Sequence, residues 1–136
     1  MVVIDSSFFL SNIYADEESP LVLDVFGAIE RSELTAFAPA IFMYEIHNSL
    51  LTAVRRKRMD LSQVPEYLQL LALAPVTIVE TGSPGSIMDL AFSHGLSFYD
   101  ASYLELAKRR NIPLATLDAR LHDAAKEENV AYPTPG

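Results

Sequence analysis

The stretch Tyr99–Leu121, YDASYLELAKRRNIPLATLDARL, decides the fold. Asp100, Leu104 and Ala107 share one stripe at a 3.6-residue period, with Tyr103 beside it, so Asp100–Arg110 is expected to be helical. Pro113 stops that helix. Leu114-Ala115-Thr116-Leu117 then reads as a short apolar strand, Asp118 is the first charge after it, and Ala119–Glu128 returns to helix. Helix, short apolar strand, acid, helix is the pattern of a parallel sheet covered on both faces.

The same alternation runs outward from this stretch. Val2–Ile4 is an apolar strand ending at Asp5, and a short helix follows over about Ser7–Tyr14. Ser19-Pro20 supplies an N-cap and a first-turn proline for a helix reaching about Ser32. Thr35–Ala38 is a second strand, and Pro39 leads into a long helix, about Ile41–Lys57. A further helix spans about Leu61–Leu73, capped by Asp60 or Ser62, and Val76–Val79 is a β-branched strand. Ser83-Pro84 opens a helix ending near Gly95, a C′ residue. Val130–Tyr132 reads as a last short strand and Tyr132–Gly136 as a frayed tail. The expected fold is a three-layer α/β/α sandwich with a central parallel sheet, one domain over residues 1–136.

Composition narrows the function. Half of the 136 residues are hydrophobic, enough for a core and against disorder. With no cysteine, disulfides and thiolate zinc sites are excluded, which suits a reducing cytoplasm. No apolar run is long enough to span a membrane, and MVVIDSS lacks the basic start of a signal peptide. No GxSxG elbow is present. The net charge of −8 opposes nucleic-acid binding in bulk. However, seven of the ten Lys and Arg residues sit in two runs, Arg55–Arg58 and Lys108–Arg110.

Ligands of such sheets bind beyond the carboxyl ends of the strands, where Asp5 and Asp118 stand. Both are also good helix N-caps, and Asp100 is open to the same reading at the head of its helix. Glu45, Asn48, Ser49 and Thr52 form the polar arc of the long helix, opposite Phe42, Ile46, Leu50 and Ala53. That arc is either a solvated face or one wall of a polar cleft, with Asn48 able to orient Glu45 or bind phosphate. Four converging carboxylates would repel one another unless a hard cation such as Mg²⁺ or Mn²⁺ neutralised them. With two ions bound they could serve in-line hydrolysis of a phosphodiester.

The basic runs end helices, where the macrodipole favours cations; a nucleic-acid patch is the alternative. His47, His94 and His122 lack metal-ligand spacing and are read as structural or surface residues. Phe8, Phe9, Phe26 and Tyr103 fall at helical spacing and are read as core or dimer interface.

Four motifs in order, VIDSS at 3–7, YEIHNSL at 44–50, YDASYLELA at 99–107 and LATLDARL at 114–121, resemble the PIN domains of VapC-like toxins across nearly the whole chain. The resemblance implies a metal-dependent endoribonuclease with Asp5, Glu45, Asp100 and Asp118 in the four acidic positions. Asn48 matches the family's Asn, and Ser6 and Thr116 match its small hydroxyl positions. It further implies RNA as substrate, a VapB-like antitoxin as partner, and a homodimer. His47, where an apolar residue is commoner, and the low net charge depart from the pattern. Competing readings are a PIN nuclease for RNA maturation or DNA, an inactive binding subunit of the same fold, and a phosphoryl-transfer domain. The last is disfavoured because Ser7, not an acid, stands two residues after Asp5.

Overall fold

The computed structural model describes residues 1–14 and 19–133, with the side chain of Tyr14 left aside. Most of the expected tail therefore lies outside the described residues. The order of elements is β1 (Val2–Ile4), α1 (Ser6–Tyr14), α2 (Pro20–Glu30), β2 (Ala36–Pro39), α3 (Ile41–Arg55), a 3-10 turn (Leu61–Gln63), α4 (Val64–Ala72), β3 (Val76–Val79), α5 (Pro84–His94), α6 (Phe98–Arg110), β4 (Leu114–Ala115) and α7 (Ala119–Glu127). The strands form one parallel sheet in the order β3-β2-β1-β4. Helix α6 lies across β1, β2 and β4 with α5 and α7 beside it, while α3 lies on β2 with α1 and α4 beside it. This is the α/β/α arrangement expected from the alternating pattern.

Burial follows position in the sheet. Val2, Val3 and Ile4 of the inner strand β1 are fully covered, as a strand sandwiched between helices must be. The edge strand β3 is covered only at Val79 and exposes Ile78. Phe8, Phe9, Phe26 and Phe42 form a linked ring cluster with centroids 5.4 to 6.0 Å apart, each such pair adding about 1 kcal/mol beyond its buried area. These rings, and Tyr103, belong to the core.

Several boundaries differ from the sequence reading, for local reasons. Helix α6 starts at Phe98 because the Ser97 hydroxyl accepts from the Asp100 amide at 3.0 Å; Ser97, not Asp100, is the N-cap. Helix α3 stops at Arg55, short of Lys57. Lys57 turns left-handed (φ 58°), and the Lys57 and Arg58 amides close back onto the carbonyls of Val54 and Ala53 in a Schellman motif. The expected helix over Leu61–Leu73 begins as a 3-10 turn and ends at Ala72. Strand β4 ends at Ala115, short of the expected Leu117, where its paired register with β1 ends at Ile4 opposite Ala115. The last expected strand is reduced to a single bridge between Leu114 and Ala131.

Candidate active site

The sheet delivers Asp5 and Asp118 to the same rim because β1 and β4 are parallel neighbours in register, Ile4 opposite Ala115. Asp5 is buried. Its Oδ1 accepts from the Phe8 amide at 2.9 Å and from the Ser7 hydroxyl at 3.0 Å, and its Oδ2 accepts from the Thr116 hydroxyl at 2.6 Å. The Thr116 oxygen in turn accepts from the Asp118 amide at 3.1 Å. One threonine hydroxyl thus ties the two strand ends together. Asp118 is exposed and caps α7, its Oδ1 accepting from the Leu121 amide at 2.9 Å. The capping role weighed for Asp5 and Asp118 is therefore real. It does not exhaust either carboxylate, since an ionised carboxylate offers about four acceptor positions and Asp5 uses three.

Asp100 stands half-buried in the first turn of α6. Glu45 is half-buried on α3, and its Oε1 accepts from the Tyr103 hydroxyl at 2.6 Å. Tyr103 is fully buried, so its phenol needs a partner and finds this one. The Ser6 hydroxyl lies beside this pair and favours the charged form of Glu45. Asn48, exposed on the same arc of α3, makes no hydrogen bond to Glu45 among the described residues; Tyr103 does the orienting that the sequence offered to Asn48.

The electrostatics show which acids share a neighbourhood. Burial, offset in part by the Thr116, Phe8 and Ser7 bonds and reinforced by Asp100, lifts the Asp5 carboxyl to about 6. Glu45 is raised by burial and by Asp100, against the lowering effect of the Tyr103 and Ser6 bonds. Asp100 is raised by burial and by Asp118. Asp100 is thus the one of the four acids that neighbours each of the others. Among the described residues, no Lys, Arg or His forms an ion pair with any of them. Burial and the Glu45 carboxylate push the Tyr103 phenol far up, so it remains a proton donor.

The donor set suits a hard divalent cation: carboxylate oxygens only, mutually repelling, without a basic counter-charge. The side chains are not pre-closed on a point, and among the described residues no three His, Cys, Asp or Glu side chains stand together as a finished metal site.

Sequence reasoning missed Ser97 and Tyr103. Ser97 was signalled by S-x-x-D at 97–100, the form of a capping box. Tyr103 gave only the general hint that a core tyrosine must bond its hydroxyl to something.

The chain belongs to the PIN domain family, whose sequence pattern it matches over residues 2–127. Among curated proteins it is similar to Exonuclease VapC9 of Pyrobaculum aerophilum, with 30% identity over 79 residues, 58% of this chain and 59% of that one. The alignment thus spans about three-fifths of that relative's length. Among solved structures it is similar in fold to PAE2754 from Pyrobaculum aerophilum (TM-score 0.69, 23% identity, 90% of this chain and 78% of the other). It also resembles FitAcB from Neisseria gonorrhoeae (TM-score 0.55, 19% identity, 96% and 95%). The PIN resemblance read from the four motifs is borne out. No helix among the described residues is long and apolar enough to cross a membrane.

Proposed function

We propose that this chain is a metal-dependent endoribonuclease, the toxin of a type II toxin–antitoxin pair, with Asp5, Glu45, Asp100 and Asp118 holding Mg²⁺ or Mn²⁺. One observation carries this reading: Asp5 and Asp118 stand at the same sheet rim, tied by Thr116, and Asp100 neighbours both of them and Glu45, with no ion pair to a basic side chain among the described residues. The bound ion would supply an activated water and would neutralise charge on the phosphodiester. The protein's own groups hold the geometry. Thr116 fixes the rotamer of Asp5, Tyr103 fixes Glu45, and the exposed Asn48 amide would contact a substrate phosphate. The VapC name of the curated relative supports the toxin reading, and with it a VapB-like antitoxin, a homodimer and a cytoplasmic site of action. An acidic chain of net charge −8 suits a basic antitoxin.

The word exonuclease in that relative's name also favours a second reading, cleavage of a nucleic acid from its ends. Circular RNA separates the two. Incubated with Mn²⁺, wild-type protein should linearise a circle and the Asp100→Asn protein should not. A circle left whole while linear RNA shortens from its ends would establish the exonuclease. In cells, expression without antitoxin should arrest growth, and Asp5→Asn should relieve the arrest.

A further inference from the structure

The Arg55–Arg58 run is the part of the sequence that the acidic site does not use. Arg56 and Arg58 line one cavity of about 290 Å³ between the end of α3 and α4, together with Ser49, Thr52, Gln63 and Tyr67. The Schellman turn sets this up. By turning left-handed, Lys57 reverses the chain between the two arginines and brings both to the same hollow. Neither arginine has a carboxylate partner among the described residues, whereas Arg31, Lys108 and Arg109 are each paired. The nearest acid in sequence, Asp60, accepts from the Ser62 hydroxyl at 2.9 Å and forms no ion pair with either arginine. In a chain carrying eight excess negative charges, two guanidinium groups without an ion-pair partner among the described residues, beside two hydroxyls and an amide, have the chemistry to bind an anion. The helix macrodipole explains why cations suit the end of α3, but not why two of them meet hydroxyl groups in one hollow.

The cavity is also connected to the acids. Glu45, Ser49, Thr52 and Arg56 fall within an arc of about 60° on α3, and the rise from Glu45 to Arg56 is about 16 Å. A single polar stripe therefore runs from the carboxylates to the arginines. We propose that this hollow binds the phosphodiester backbone of single-stranded RNA a few nucleotides from the bond held at the acids. The choice of RNA as the polyanion rests on the ribonuclease reading above. Two arginines fork onto phosphate oxygens, and Ser49, Thr52 and Gln63 add neutral donors.

The test is fluorescence anisotropy of a short labelled oligouridylate, titrated over a series of salt concentrations in EDTA, so that no metal-assisted cleavage intervenes. Wild-type protein should bind. Arg56→Gln/Arg58→Gln should weaken binding about tenfold or more and reduce the slope of log K against log salt by about 1.4, two phosphate contacts on a single strand. Arg56→Lys/Arg58→Lys should keep most of the slope, and Arg110→Gln/Lys126→Gln should bind as wild type. No binding by wild type, or equal binding and slope in the double glutamine variant, overturns the proposal. So does unchanged RNA binding combined with loss of self-association or of antitoxin binding, which would make the hollow a protein contact. Failure of wild-type protein to cut RNA with Mn²⁺ would sink the ribonuclease reading instead, and the anisotropy result would stand by itself.

Discussion

The Tyr103 hydroxyl donates to Oε1 of Glu45 across 2.6 Å, joining α6 to α3 through residues 58 positions apart. Tyr103→Phe keeps the ring in place and removes only this bond. Folding stability should fall by about 1 kcal/mol in denaturant titration. Calorimetric titration should show Mn²⁺ affinity falling about tenfold, the usual cost of losing a group that orients a ligand. Unchanged Mn²⁺ binding with the expected stability loss would make Tyr103 structural only.

Protonation of Asp5 should set the pH dependence of stability without metal. Its carboxyl titrates near 6 in the folded chain, against 3.8 as the ordinary value. Between those values the native state binds more protons than the unfolded one, so stability falls as pH rises and the loss is complete above about pH 6. The effect is on the order of 3 kcal/mol, several degrees of melting temperature, and Glu45 and Asp100 act in the same direction. Melting curves in EDTA from pH 4.5 to 7.5 should show the decline, Asp5→Asn should flatten it, and Mn²⁺ at pH 7.5 should reverse it. A decline undiminished in Asp5→Asn would place its origin elsewhere.

Thr116 is buried and serves two partners, donating to Asp5 and accepting from the Asp118 amide. Thr116→Val keeps the shape and leaves both partners short of a bond. A loss of about 2 kcal/mol is expected, with Thr116→Ser recovering most of it. Equal stability of the valine and serine proteins would refute the bridging role.

Lys57 occupies a left-handed position that glycine fills more easily. Lys57→Gly should stabilise the fold by about 1 kcal/mol. Asn111→Gly, at the equivalent place after α6, should change it much less, because asparagine tolerates that conformation. Thermal unfolding of the two variants side by side decides the point.

The sheet, the helix order and the acids at the strand ends were legible because they depend on neighbours in sequence. Val2–Ile4 followed by Asp5, Ser83-Pro84, and Gly95 with its left-handed backbone are local signals, and each lies where its chemistry places it. The bonds that hold the candidate site are of another kind. Thr116 meets Asp5 over 111 residues, a pairing that no window along the chain contains. Tyr103 read as core and is core, yet its one polar atom faces Glu45. The N-cap of α6 was misplaced because Asp100 and Ser97 both suit a helix start, and only the backbone decides between them.

The strand order has a consequence for a nascent chain. Among the strands the inner one, β1, is made before the others, and β4, its outer neighbour, after them. Until Leu114 and Ala115 reach the edge of β1, Asp5 lacks Thr116, and Asp118 has no place at the rim. A nascent polypeptide that lacks the segment from Leu114 to Asp118 carries the other acids as separate charges. If they act together as proposed, no catalyst exists until that segment has been made and has reached the open edge of β1.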